Sequence, residues 1–354
     1  METLFDCLGE QLYSKAIENS ALTTGLGKKL REIFSGEKLR LAFLGGSVTY
    51  GYNSSPENHK SYADFLCEHY SAHYEVEMRN YAVSGTNCYM GLFVDEMLLK
   101  DFAPQIVFVE YSINEELSPL GLEKYESLLR RLISRGCAVI PITVFNRAGY
   151  SCEEYMVHFS RLYGLPTVGI RASLYPLIQS GTLPMDVYTP DEAHPRENIH
   201  EFIAKCIVHV IDKCIEENGD NPPFPAPLTT AGFESFRLLD LSHGNLEKQP
   251  LSENVFDFAY RCKEGERIFL ETEAECSKIA VLYLKDKSRD MGECELFCDD
   301  KSIGRLTGYS IFGWGNPFAE LVFCEDKPRR RKIRLEIPRD CKGKKVVVIA
   351  VGCC

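Results

Sequence analysis

Four residues far apart in the chain carry complementary chemistry: Ser47, Asn114, Asp191 and His194. A serine hydroxyl is a weak nucleophile until a base takes its proton. Histidine titrates near neutral pH and can be that base. Asp191, three residues upstream of His194, can orient the imidazole and stabilise its protonated form. Attack of Ser47 on a carbonyl would create an oxyanion, which needs preorganised donors. The backbone N–H groups of Ser47 and Gly85 and the side-chain amide of Asn114 are the candidates, with Gly46 and Ser112 placed beside the substrate. The chemistry expected is nucleophilic attack of a serine on a carbonyl.

Such residues must be brought together by elements that end at a common edge. Leu39, Leu41, Ala42, Phe43 and Leu44 form an apolar run that reads as a strand entering a buried sheet. It stops at Gly45-Gly46-Ser47, a turn where small residues leave room for a substrate. Other uses of these glycines fail on spacing. No Gly-Lys-Ser/Thr follows, and Ser47, Thr49 and Tyr50 occupy positions where the dinucleotide and nucleophile-elbow patterns need glycine. Further strands are expected at 74–83, 104–111, 138–144 and 166–170, with helices near 62–74, 90–99, 122–135, 152–163 and 197–217. Strands alternating with helices predict a mainly parallel sheet covered on both faces. The C-terminal strand ends of such a sheet share one rim. Ser47, Ser84-Gly85, Ser112 to Asn114 and Asp191 to His194 would all lie along it.

Residues 1–37 have helical spacing and read as an N-terminal extension. The α/β domain is expected over 38–217, and the Pro-rich stretch within 218–232 as a linker. Over 233–354 short alternating runs sit between Gly, Asp and Pro turns. That pattern predicts an all-β, jelly-roll-like sandwich.

Composition narrows the partners. A formal net charge of −11 argues against nucleic acid or an anionic membrane surface as the main partner. No apolar stretch approaches the ~20 residues of a membrane span. The start of the sequence shows no signal peptide, so a cytoplasmic location is expected. The 15 cysteines are odd in number and scattered, and read as reduced thiols. Cys353-Cys354 is expected to be a frayed end, Arg329 to Lys332 a charged hairpin, and His69 and His73 a solvated helix face. Trp314, the single tryptophan, could stack on a sugar ring or pack in a core or loop.

The four strand-end segments together resemble the SGNH (GDSL-like) hydrolase superfamily, defined by separated blocks around Ser, Gly, Asn and His. The matching segments are Gly45-Gly46-Ser47-Val48-Thr49-Tyr50-Gly51, Asn80-Tyr81-Ala82-Val83-Ser84-Gly85-Thr86, Val107 to Glu115, and Asp191-Glu192-Ala193-His194-Pro195. The first has Gly-Gly-Ser where the name-giving motif has Gly-Asp-Ser, and the third has Ser112 and Glu115 where glycine and aspartate are usual. The resemblance covers about residues 38–217. It implies a flavodoxin-like, three-layer α/β/α domain with about five parallel strands. It assigns Ser47 as nucleophile, His194 as base and Asp191 as its partner, with Gly85 and Asn114 in the oxyanion hole. The helices before it and the β domain after it are similar to those of bacterial members acting on acetylated sugars. A serine esterase cleaving short acyl esters, with acetyl on carbohydrate foremost, is therefore expected. It needs no metal or organic cofactor, and its partner would be a small-molecule or oligosaccharide ester. A lipase or acyl-thioesterase of the same fold and a non-catalytic carbohydrate-binding protein are the alternatives.

Overall fold

The apolar run that stops at Gly45 forms β1 (Lys38–Gly45), and Leu39, Leu41, Ala42, Phe43 and Leu44 are all fully buried in it. A strand apolar on both pleated faces needs cover on both, which is why helices flank it. The computed structural model describes residues 2–17, 26–55, 59–217, 224–241, 246–251, 255–339 and 343–354. The predicted linker therefore lies partly, over 218–223, outside the described residues. Two compact units divide the chain: Met1–Cys88 with Leu98–Ala231, and Tyr89–Met97 with Gly232–Cys354. The second unit thus takes in a short segment that sequence spacing places inside the α/β domain.

In chain order come α1 (Glu2–Ala16), α2 (Leu26–Phe34), β1, α3 (Ser47–Tyr50), α4 (Tyr62–Ser71), β2 (Glu75–Asn80) and α5 (Cys88–Val94). A wider turn (Asp95–Leu99) leads to α6 (Lys100–Phe102), β3 (Ile106–Glu110), α7 (Pro119–Ser134), β4 (Ala138–Thr143) and α8 (Glu153–Leu162). The first unit ends with β5 (Val168–Gly169), α9 (Ile170–Gln179), α10 (Met185–Tyr188) and α11 (Glu197–Glu216). Its five strands run in the order β2-β1-β3-β4-β5, and all pairs are parallel. This is the flavodoxin-like order.

Leu30 and Ile33 of α2, Tyr62 and Leu66 of α4, and Ile203 and Ile207 of α11 share a core with Leu41, Phe43, Phe108 and Ile140 of the sheet. Alternation sends Leu44, Val107 and Val139 to the opposite face; α7 and α8 pack on β4. The helices of 1–37 are part of this core: a Cβ on Gly27 would stand 2.1 Å from the Cys214 carbonyl, and Arg31 donates to the carbonyls of Ile215 and Glu217 at 2.6 and 2.7 Å. Only glycine allows α2 to approach the end of α11 so closely. The segments α9 and α10 have no counterpart in the sequence-based expectation.

The second unit has antiparallel pairing throughout its two sheets. Its strands are β6 (Arg237–Leu238), β7 (Glu247–Pro250), β8 (Phe258–Lys263), β9 (Arg267–Glu271), β10 (Cys276–Asp286), β11 (Glu293–Cys298), β12 (Lys301–Thr307), β13 (Trp314–Arg329), β14 (Lys332–Glu336) and β15 (Lys345–Cys353). One sheet runs β13-β10-β15-β8-β7 with β6 on β15, the other β12-β11-β14-β9. Ile279, Val281, Val346 and Val348 from one sheet and Leu296, Ile333, Leu335 and Ile268 from the other fill a single core.

Two expectations are corrected here. Cys353 and Cys354 are buried, because β15 lies between β10 and β8; the Cys354 carbonyl accepts from the Ser277 and Lys278 N–H groups at 2.7 and 2.9 Å. The segment Arg329 to Lys332 is charged but is no hairpin, since β13 and β14 belong to different sheets and the chain crosses between them. Arg331 is 2% exposed and bonds Asp299 at 3.0 Å and Glu325 at 2.7 Å, as a buried cation must.

Candidate active site

Ser47 begins α3 directly after β1, and its side chain lies at the sheet's rim, with the residue 7% exposed. Gly45 is required by packing: a Cβ there would stand 2.0 Å from Thr49 Oγ1 and 2.7 Å from the Glu110 carbonyl. The sheet order sets β1 between β2 and β3, so the segments that carry Gly85, Ser47 and Asn114 leave neighbouring strands. Val83 N donates to the Gly45 carbonyl at 3.1 Å and carries the β2–β1 pairing to the start of the Gly85 turn. Gly85 has φ +74°, the left-handed region that favours glycine.

Asn114 follows β3 in a tight turn, with Asn114 N and Glu115 N both donating to the Tyr111 carbonyl at 3.0 and 2.9 Å. Its Oδ1 is buried without a hydrogen-bond partner among the described residues. Gly46 leaves it room. The turn is held by a buried ion pair, Glu115 to Lys124 at 2.7 Å. Glu115 also accepts from Cys88 N at 3.2 Å, which ties the end of the Gly85 segment to the Asn114 turn.

Asp191 and His194 lie between α10 and α11. Asp191 Oδ1 accepts from the Ala193 and His194 N–H groups, both at 2.8 Å. Asp191 Oδ2 stands 2.8 Å from His194 Nδ1, and His194 Nε2 stands 2.9 Å from Ser47 Oγ. Three residues expected to cooperate are therefore in one hydrogen-bonded chain. Burial alone would raise the Asp191 carboxyl; the His194 and Ala193 N–H groups, the His194 ring and Asn53 instead hold it well below the usual carboxylate range. Arg147, from the segment after β4, secures this loop by donating to the Asp191 carbonyl at 2.9 Å, the Thr189 carbonyl at 3.0 Å and the Asp186 carboxylate at 2.6 Å. Tyr188 does so from below, its ring stacked on Phe145 at 4.1 Å and its hydroxyl donating to the Phe145 carbonyl at 2.8 Å.

One expected site residue lies elsewhere. Ser112 is fully buried; its hydroxyl donates to Glu110 Oε1 at 2.9 Å and accepts from Val144 N at 2.8 Å. A hydroxyl so engaged joins the ends of β3 and β4 and does not face a substrate. Under the site lies Glu110, whose carboxyl is pushed up to about 7 by burial, against opposing hydrogen bonds from Ser112 and Thr49. Sequence reading missed Glu110, Arg147, Tyr52 and Asn53. Arg147 alone had a signal, since it too follows a strand end.

Neither a protein-family model nor a curated protein sequence matches the chain. Solved structures do. A two-domain esterase (CEX) active on acetylated mannans, co-crystallised with mannopentaose, is similar over 95% of this chain and 97% of its own, at 23% identity and a TM-score of 0.77. A second structure of a two-domain esterase (CEX) active on acetylated mannans has 24% identity, the same coverage and a TM-score of 0.76. This chain shares their fold: a flavodoxin-like α/β unit combined with antiparallel β sheets.

Proposed function

We propose that this protein is a serine esterase that removes short acyl groups, above all acetyl, from carbohydrate. One observation carries the reading: Ser47 Oγ, the His194 ring and the Asp191 carboxylate form a continuous hydrogen-bonded chain. A mere turn serine has no need of a histidine held in place by a carboxylate. That the esterases sharing the fold are active on acetylated mannans supports the choice of substrate.

In this mechanism Ser47 Oγ attacks the ester carbonyl while His194 Nε2 accepts its proton. Asp191, kept ionised, holds the ring through Nδ1 and stabilises the imidazolium. The oxyanion of the tetrahedral intermediate is met by the N–H groups of Ser47 and Gly85 and the Asn114 amide. Collapse breaks the bond to the sugar oxygen, which leaves as a hydroxyl with the proton from His194. Water then attacks the acyl-serine, giving its proton to His194, and releases the acid and free Ser47. A saccharide ligand also suits the turn leading into β13 and its first residue, where Tyr309, Ile311, Phe312 and Trp314 are 43%, 67%, 80% and 61% exposed. Aromatic faces presented to water in this way are suited to stacking on sugar rings.

Nitrophenyl esters from acetyl to decanoyl, given to wild type and Ser47→Ala, test the reading. Acetyl turnover that disappears in the variant is expected, followed by release of acetate from acetylated manno-oligosaccharides. A preference for long chains would move the substrate to lipids or thioesters. Equal inertness of both proteins toward every ester would overturn the esterase.

A further inference from the structure

The loop that follows α3 turns back over the Asp191–His194 pair. Gly51, at φ +86°, ends the helix, and a Cβ there would stand 2.2 Å from the His59 carbonyl. Tyr52 N donates to the Ser47 carbonyl at 2.9 Å, and Glu197 N at the start of α11 donates to the Ser54 carbonyl at 3.0 Å. The loop is thus fastened to the segment bearing the nucleophile and to the helix that follows the histidine. Between these anchors, Asn53 Nδ2 donates to Asp191 Oδ2 at 2.7 Å, and the Tyr52 ring lies 4.8 Å from the His194 ring.

From this geometry we propose that Asn53 is a positioning residue for acyl transfer, its amide locking the Asp191 carboxylate while Tyr52 covers one side of the His194 imidazole. The inference rests on the esterase reading above. An ionised carboxylate offers about four acceptor positions. In Asp191, Oδ1 takes the Ala193 and His194 N–H groups, with Thr189 Oγ1 at 3.4 Å beside them, and Oδ2 takes His194 Nδ1 and the Asn53 amide. All of these except Asn53 belong to the same short loop as Asp191. Asn53 alone comes from the nucleophile's own segment, so its bond sets the carboxylate and the attached ring in register with Ser47.

The backbone points the same way. Asn53 has φ +55°, a conformation that asparagine tolerates far better than most side chains. A left-handed non-glycine residue whose side chain engages a reactive carboxylate is the kind of local strain that sites retain. The bond also has an electrostatic effect. By donating to Oδ2, the amide shares charge that would otherwise act wholly on the Nδ1 proton of His194. Removing it leaves the carboxylate a stronger acceptor and favours the imidazolium.

Other ionisable groups face the pair. Tyr52 and His59 stand on one side, their rings 6.3 Å apart. Arg147 binds the Asp191 carbonyl and the Asp186 carboxylate, and its N–H donates to the Glu192 carbonyl. His200 of α11 is pushed down to about 3 by burial and then by His194, and stays neutral across the working range. None of these replaces the donor to Oδ2.

The test is the pH dependence of kcat and kcat/KM on nitrophenyl acetate for wild type, Asn53→Gly and Asn53→Asp. Glycine keeps the left-handed backbone and deletes the amide; aspartate keeps the shape and replaces the donor with a second carboxylate. In Asn53→Gly, kcat should fall about tenfold, the order expected for a lost hydrogen bond to a charged group, with KM little changed. The acid limb of kcat/KM should move to higher pH in Asn53→Gly and further in Asn53→Asp. A lower rate with the acid limb unmoved in both variants would make Asn53 structural only and overturn the proposal, as would wild-type kinetics in either. Should Asn53→Gly fail to fold, the acid limb of Asn53→Asp decides alone. If wild type itself shows no Ser47-dependent turnover, the esterase reading has failed, a result distinct from the failure of Asn53.

Discussion

Asn114 Oδ1 stands 2.5 Å from the point that a Cβ on Gly46 would occupy. The glycine before the nucleophile and the amide proposed for the oxyanion hole therefore share one small space. Gly46→Ala must displace the Asn114 side chain, which can swing aside at little cost to the fold. Ester turnover should fall by about 10²- to 10³-fold, the loss typical of a missing oxyanion donor. The melting temperature should move by only a few degrees. Steady-state kinetics beside a thermal melt separates the two effects, and an equal loss of both would show that Gly46 serves packing instead.

Asp191→Asn tests the other end of the chain. An amide can present N–H to His194 Nδ1 and favour the tautomer that cannot accept the Ser47 proton. The expected loss in kcat is about 10²- to 10⁴-fold with the fold intact. A variant that keeps most of its rate would sink the assigned role of Asp191.

Glu110 should leave a mark on stability against pH. Burial raises its carboxyl from 4.5 to about 7 in the folded chain. The native state then holds a proton that the unfolded state has lost, so stability declines as pH rises from about 4.5 through about 7 and levels off above. Linkage puts the contribution of this group at roughly 3 kcal/mol. Glu110→Gln keeps the acceptor for Ser112 and cannot ionise. Urea titrations at pH 5 and pH 8 should show a smaller drop for the variant than for wild type; equal drops would mean that Glu110 titrates normally.

The buried pair Glu115 and Lys124 gives a stability test with its own control. Lys124→Met strands a carboxylate that is wholly out of water, at a cost of about 3–5 kcal/mol. Adding Glu115→Gln should recover most of that loss in denaturant unfolding. If the single variant is as stable as wild type, the pair contributes nothing to the Asn114 turn.

Trp314 is the only tryptophan, so fluorescence reports directly on the exposed start of β13. Titration with manno-oligosaccharides should shift its emission, and Trp314→Ala should weaken binding of the oligosaccharide by about 2- to 10-fold, the range of aromatic stacking energies. A spectrum untouched by saccharide, with unchanged affinity in the variant, would show that this surface binds no saccharide.

Periodicity and turn chemistry made much of this protein legible from sequence. Apolar runs marked the central strands β1, β3 and β4, because a strand buried on both faces leaves no other pattern, while the edge strand β2 showed only alternation. Ser47, Gly85 and Asn114 could be expected near one another because strand ends of a parallel sheet share a rim, whereas Asp191 and His194 follow no strand and reach Ser47 from the loop between α10 and α11. The β unit was legible as a class but not in detail. Its strand β12, with Gly304 within it and only Leu306 buried, carries too little apolar signal.

Only the tertiary structure decided the rest. Ser112 looked like a site residue by spacing, yet neighbouring strands β3 and β4 enclose its hydroxyl between Glu110 and Val144. Arg331 sits in a run of four basic residues that reads as a charged hairpin, and is buried because the chain changes sheets there and meets Asp299 and Glu325. Asn53 had no signal at all: 138 residues separate it from Asp191, and only the return of a loop over the rim brings them into contact. Local sequence determines which elements form and where they end. Which polar groups those ends must satisfy is settled when they are packed, since burial makes each unpaired donor or charge costly and so chooses its partner.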